Sequence, residues 1–471
     1  MVFANLFFLY IFLPVNLILY YATRSYAVRN FVLVAMSFLF YAWGEPVWVL
    51  LLLASGFMVW FCSLLVERFA GTRRGKAALI FAVTISLSLL GIFKYSGFLI
   101  ENINAVLPLS LPVPQFSLPI GISFYTFQMI SYIVDVYRGD VKAQPSFLRF
   151  IMYVSMYFQL VAGPIVRYSD VAWEIGHRTA NANDISHGIT RFCIGLLKKV
   201  AVANVAGSLL VQYMDGDLTK VTVLGSWFGA VLFMLQIYYD FSGYSDMAIG
   251  LGLMFGFHFV ENFNYPYIAK TATEFWRRWH ISLSSFLRDY LYIPLGGNRS
   301  HAWRNLFVVW FATGLWHGAS WNFILWGLFF GVLIALERLG LRNLLEKLPG
   351  FISHFYLLFV VLISWVIFYF TDLSRAAQYL GIMFGLSGQP LTNSQTLLAL
   401  EGNLFWLILA VVFCLPLARI ASQQITAAAA VSRPRQIILG ILVPVMNLGI
   451  LLICTAMLSG QSYNPFLYYR F

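Results

Sequence analysis

Charge is what this sequence has least of. Only 10% of its 471 residues are Asp, Glu, Lys or Arg, against roughly a quarter in soluble domains. Polar surface is therefore too scarce to cover a globule in water. Hydrophobic residues make up 60%, and apolar runs of about twenty residues, the length that crosses a bilayer core, recur from end to end. Together these predict an all-α, polytopic membrane protein. Cysteine is nearly missing too: Cys62, Cys193, Cys414 and Cys454 stand singly in apolar surroundings without metal or redox spacing, the pattern of buried small hydrophobes. No two histidines have the spacing of a helical zinc pair, so no metal site is expected. Linkers, repeats and low-complexity tracts are absent as well, and residues 1–471 read as one membrane-embedded domain.

The net charge of +11 would suit a nucleic-acid partner if it were clustered, but its placement argues otherwise. Arg24 and Arg29 follow the first apolar run, Arg68, Arg73, Arg74 and Lys76 the third, and Arg338, Arg342 and Lys347 another. Arg419, Arg433 and Arg435 lie between the last two runs, while Gly44 to Pro46 and Asn102 to Leu118 hold no Lys or Arg. This alternation follows the positive-inside rule and puts the N-terminus and the tail Gly460 to Phe471 outside. Val2 to Tyr21 lacks the basic n-region of a signal peptide, contains Pro14 and reads as a permanent first helix.

Spans are predicted over roughly 2–22, 30–43, 47–66, 77–93, 119–137, 148–165, 223–240, 243–260, 303–336, 353–371, 404–420 and 436–458. The stretch 187–213 is apolar but interrupted by Arg191, Lys198 and Lys199; its lysines either snorkel to the interface or hold it there. Residues 305–336 contain no Asp, Glu, Lys or Arg, and His317 is their only titratable group. As one helix this run would be about 48 Å long against a core of about 30 Å, too long for one straight span and too short for two. Gly314, Gly318 and Ser320 mark where it breaks, and broken helices at membrane depth occur where protein or a cavity covers the backbone. Between 261 and 302, Thr271 and Glu274 have capping-box spacing. Trp276, His280, Leu283, Leu287 and Tyr290 then recur at helical intervals, which predicts one interfacial amphipathic helix with His280 on its apolar face.

An ionisable group inside a membrane is a functional-site candidate by default; for His317 the alternative is an interhelical hydrogen bond, worth about 1 kcal/mol. His280 carries the same two readings. His177, His187, His301 and His354 read as solvated, and His258 as a packing residue. Asp240 and Asp246 flank a Gly-Ser interruption between two runs and suit a polar turn as well as a cavity lining.

Several blocks together resemble the membrane-bound O-acyltransferases. They are RRWHISLSSFLRDYLYIPLGG (277–297) with GLWHGASWNFILWG (314–327), supported by LPIGISFYTFQMISYIVDVYRG (118–139), FQLVAGPIVRYSD (158–170) and QIYYDFSGYSDMAIGLGLMFGF (236–257). The likeness is greatest to the bacterial alginate O-acetylase and peptidoglycan O-acetyltransferase branch, covers most of residues 1–340, and puts the signature half at about 118–340. It implies a bundle of about 11–13 helices with broken or re-entrant segments and an interfacial helix. It also implies catalytic roles for His317 and His280, and a tunnel joining both membrane faces. Asp240, Trp316, Asn322, Arg277, Arg278 and Lys270 are the corresponding substrate-binding candidates, the last three toward coenzyme A phosphates unless they are ordinary positive-inside residues. The implied donor is cytoplasmic acetyl-CoA, with no bound cofactor. No external segment offers a Ser/His/Asp arrangement, so the implied partner is an extracytoplasmic SGNH, or serine-hydrolase-like, acetyltransferase in the bacterial inner membrane's outer compartment. D-alanyl transfer for teichoic acid, or a transporter or scaffold, are the rival functions.

Overall fold

The computed structural model describes residues 1–161, 163–430, 432–460 and 466–467, and these contain helices and loops but no strand. Among the described residues, seven helices are long and apolar enough to cross a membrane: Trp48–Arg68, Arg73–Val106, Ala182–Asp215, Trp321–Lys347, Gly350–Tyr369, Ser394–Val412 and Arg433–Ser459. The chain is a multi-pass membrane protein. Most of the tail expected outside lies beyond the described residues; Phe466 and Leu467, which are described, are buried against the bundle.

Several predicted boundaries shift for identifiable reasons. The loop expected at 94–118 is helix as far as Val106, because Arg73–Val106 runs unbroken for 34 residues. The runs 223–240 and 243–260 are not separate spans: Val223–Met254 is one helix of 32 residues, almost wholly buried. Glycine and serine at its middle let neighbours approach and do not end it. The predicted span 148–165 breaks at Met156 (φ −48°, ψ 113°) into Phe147–Ser155 and Tyr157–Leu160. The ambiguous stretch 187–213 belongs to the continuous helical segment Ala182–Asp215. Its cations do not snorkel. Lys199 pairs with Asp240 at 2.5 Å, Lys198 with Asp246 at 2.6 Å, and Arg191 with both Asp246 and Glu261 at 2.6 Å.

The uncharged run around His317 is a hairpin. Ala302–His317 and Trp321–Leu336 are helices of 16 residues each, about 24 Å long, joined by extended Gly318 and Ser320. Their backbones touch where Gly314 faces Phe323 and Gly327 faces Trp310: a Cβ on Gly327 would lie 2.3 Å from the Trp310 carbonyl oxygen. Such small-residue contacts are how helices pack closely without a hydrophobic gradient between them. Both outer ends of the hairpin return to the polar segment 261–302. There the Glu337 carboxylate accepts from Ala272 N at 2.6 Å and from Thr273 N at 2.9 Å, capping the next helix with a negative charge where its dipole favours one.

That polar segment is two helices, Ala272–Arg278 and Ile281–Leu287, and not the single amphipathic helix that the periodicity suggests. Thr271 caps the first, accepting from Glu274 N at 3.0 Å, while Glu274 reaches back to Lys270 N, one residue before the expected partner. The break falls at His280, left-handed at φ 45°, ψ 53°, a conformation that costs a non-glycine residue about 1 kcal/mol. Surrounding bonds hold it: Asn264 N donates to Arg278 O and Ile281 N to Asn262 O. Farther along, Asp289 joins Arg167 (2.7 Å) and Arg288 (2.6 Å). Burial pushes its carboxyl up, but the hydrogen bonds from Arg288 and Arg167 outweigh that and hold it below the usual carboxylate range.

Replacing Gly327 by Ala should force the hairpin arms apart at a cost of about 1–3 kcal/mol. Thermal unfolding of the detergent-solubilised chain measures this. Gly440→Ala, where a Cβ meets nothing within 4 Å, should leave the midpoint unchanged or raise it; equal midpoints for the two variants would contradict the packing described.

Candidate active site

The hairpin tip and the His280 hinge meet. His317, the last residue of its helix, is 4% exposed and His280 0%, and they share Trp316 as a neighbour, with ring centroids 4.9 Å from His317 and 5.7 Å from His280. Aromatic rings close the surroundings: Trp326 and Phe368 lie 4.9 and 5.4 Å from His317, and Phe241 lies 4.6 Å from His280. No three His, Cys, Asp or Glu residues gather to hold a metal among the described residues.

The tautomer of His280 follows from its partner. Asn262 Oδ1 accepts from Ser282 N at 3.1 Å and from Ser282 Oγ at 2.9 Å, which fixes that atom as the carbonyl oxygen. His280 Nδ1 lies 3.2 Å from the same oxygen and so must carry the proton. Nε2, buried and without a hydrogen-bond partner among the described residues, then presents a lone pair. At Nε2 a neutral His280 thus accepts, and it could donate to a developing oxyanion there only by taking up a second proton.

A cavity of about 90 Å³ reaches this site, lined by Lys94, Gly121, Ser123, Phe124, Trp316 and His317 among others. It lies at the end of the bundle away from the basic loops. Lys94 is 21 residues beyond Arg73 on one helix, about 32 Å along it, and Leu118 to Phe124 sit at the far end of the helix that finishes at Arg138.

The remaining candidates divide. Trp316 is central. Asn322 is buried near the site, but its amide donates to the carbonyls of Phe368 (2.9 Å) and Ile367 (3.3 Å), tying the hairpin to Gly350–Tyr369. Asp240 lies beside Phe241 on the central helix, ion-paired with Lys199 and accepting from Leu467 N at 2.7 Å. Lys270 and Arg277 are exposed, and Arg278 pairs with Glu274 at 2.9 Å; none of the three touches either histidine. His258, expected as a packing residue, is exposed and bonded to Glu174 at 2.8 Å. Sequence reasoning missed Asn262, Glu337 and Lys94. Lys94 did carry a signal, being the only charged residue between Lys76 and Glu101.

The model of the membrane-bound O-acyltransferase family matches residues 141–377. A probable alginate O-acetylase from Azotobacter vinelandii is 38% identical over the full length of both chains. The peptidoglycan O-acetyltransferase of Helicobacter pylori is 34% identical, covering 82% of this chain and 80% of its own. A teichoic acid D-alanyltransferase from Bacillus subtilis is 27% identical over 46% of this chain and 58% of its own.

Lys199→Met strands a buried carboxylate and should destabilise the chain by about 3–5 kcal/mol. Adding Asp240→Asn should restore most of the melting midpoint. A Lys199→Met variant that melts like the parent would leave Asp240 without a structural role.

Proposed function

The chain belongs to the membrane-bound O-acyltransferase family and is an acyltransferase, and we propose that it takes acetyl from cytoplasmic acetyl-CoA and passes it across the membrane for O-acetylation of an exported polysaccharide. The observation that carries this reading is the pair of buried histidines, His317 at the hairpin tip and His280 at the hinge beside it, with a cavity reaching His317 from the end opposite the basic loops. The alginate and peptidoglycan O-acetylating relatives, alike over 80% or more of this chain, favour acetyl and polysaccharide over the D-alanyl reading.

In this mechanism a neutral His317 is the general base. Its lone pair takes the proton of an acceptor hydroxyl as that oxygen bonds to the thioester carbonyl carbon. The tetrahedral intermediate collapses with loss of the carbon–sulfur bond, and the imidazolium returns the proton to the departing thiolate. General-base catalysis of this kind contributes roughly 10²–10⁴-fold. His280, with Nε2 as an acceptor beside Trp316, orients the reacting groups. Trp316 and its aromatic neighbours exclude water, which protects the thioester from hydrolysis. Arg277 and Lys270, exposed on the basic side, suit the phosphates of coenzyme A; Asp240 and Asn322 support the site without meeting substrate.

The basic loops face the cytoplasm in the inner membrane, and one acyltransferase domain fills residues 1–471. A cavity of about 90 Å³ suits an acetyl-sized group and is far below the several hundred Å³ typical of sites that enclose larger ligands. An extracytoplasmic serine-hydrolase-like acetyltransferase therefore collects the acyl group.

His317→Ala should abolish polymer acetylation in cells, at unchanged membrane abundance, and His280→Ala should lower it by about 10–100-fold. Acetate released from the exported polymer by mild base measures both; wild-type acetate with His317→Ala would remove the base. Orientation has a separate check. In a background without native cysteines, Thr72→Cys should resist an impermeant thiol reagent in spheroplasts and Ser110→Cys should react, whereas the reverse pattern would exchange donor and acceptor sides.

A further inference from the structure

A helix leaves its last four carbonyls without intrahelical partners, and at membrane depth no water replaces them. Ala302–His317 ends inside the bundle, where Trp316 and His317 are buried, and each of its four terminal carbonyls can be traced. Gly314 O accepts from Gly318 N at 3.4 Å. The other three are met by two adjacent residues of Arg73–Val106. Tyr95 Oη donates to Leu315 O at 2.8 Å, and Lys94 Nζ donates to Trp316 O at 2.5 Å and to His317 O at 3.4 Å. The third donor of the ammonium reaches Ser123 Oγ at 3.4 Å. No carboxylate pairs with Lys94 among the described residues; the negative end of the helix dipole is what its charge faces.

We propose that Lys94 is a positioning residue for acyl transfer: with Tyr95 it caps the carbonyl end of the His317 helix and holds the imidazole at the cavity. Gly318 follows His317 at once, and the connection to the second arm is extended, so a frayed last turn would swing His317 about the helix axis by about 100° per residue lost. Misplacement of a reacting group by about 1 Å can cost roughly 100-fold in rate. Lysine suits this post better than a neutral donor because one ammonium serves two consecutive carbonyls and matches the dipole.

The proposal rests on the acyltransferase reading of His317, and the test separates them. Purified full-length chain in detergent is compared as the parent, Lys94→Met, Lys94→Arg, Tyr95→Phe and His317→Ala. Acetyl-CoA turnover with a short alcohol present as acceptor, KM for acetyl-CoA and the melting midpoint are measured for each. Lys94→Met is expected to lose about 100-fold in kcat with KM within about twofold, since the acyl donor still binds. Lys94→Arg, which keeps the donors and the charge, should recover at least a tenth of parental kcat. Tyr95→Phe, which strips one carbonyl of its partner and leaves the ammonium, should lose about tenfold. Parental kcat in Lys94→Met, or a Lys94→Arg as inactive as Lys94→Met at a parental melting midpoint, overturns the proposal. Should Lys94→Met fail to fold, Lys94→Arg and Tyr95→Phe decide it: a Tyr95→Phe variant with parental kcat sinks the cap. A fully active His317→Ala would instead defeat the acyltransferase reading of the site, whatever Lys94 does.

Discussion

Inside a bilayer the backbone has no solvent to bond to, and every helix end placed there must find partners within the protein. The structure around His317 follows from that constraint. Putting an imidazole deep in the membrane on a helix that stops there exposes a row of carbonyls, and the neighbouring helix Arg73–Val106 must answer them with Lys94 and Tyr95. The stop also requires a chain reversal, hence Gly318 and Ser320. The returning arm must pack at backbone contact, hence Gly314 and Gly327. One functional placement thus dictates residues on two further segments.

The same economy governs the buried charges. Lys199 with Asp240, and Lys198 and Arg191 with Asp246, meet along the pair Ala182–Asp215 and Val223–Met254, while Arg191 also reaches Glu261 in the exposed loop beyond it. A paired buried charge contributes little net stability, while an orphaned one is severely destabilising. These pairs therefore fix which helix faces which, more than how firmly the bundle holds. His280 is fixed in a comparable way: Asn262 settles its proton and the backbone at the hinge settles its direction.

Composition was enough to read a membrane protein from the sequence, and the lone His317 in an uncharged run singled out one candidate site residue. The signature blocks brought in His280 and the family. Periodicity failed at Trp276 to Tyr290, because side-chain spacing is blind to a single left-handed residue: the apolar stripe continues across His280 while the helix does not. It failed again at 240–246, where Gly243 reads as a breaker but serves as a contact surface within Val223–Met254. Lys94 was overlooked for a related reason. A cation near the end of an apolar run is conventionally taken as the start of a loop, and only three dimensions show that the helix continues past it to Val106. Partners distant in sequence, such as Asn262 with His280 or Glu337 with Ala272, leave no local trace.

The hairpin has a consequence for how the chain is threaded. A segment that enters and leaves by the same face contributes nothing to the parity of crossings, so every helix after Leu336 keeps the direction it would have if the hairpin were deleted. Arg299 before it, Arg304 in its first turn, and Arg338 and Arg342 after it therefore share one side, and charge bias at the two flanks agrees where an ordinary span would make it compete. Each arm, about 24 Å long, is also shorter than the hydrocarbon it enters. The depth of the pair is set by the groove that the surrounding helices leave between them.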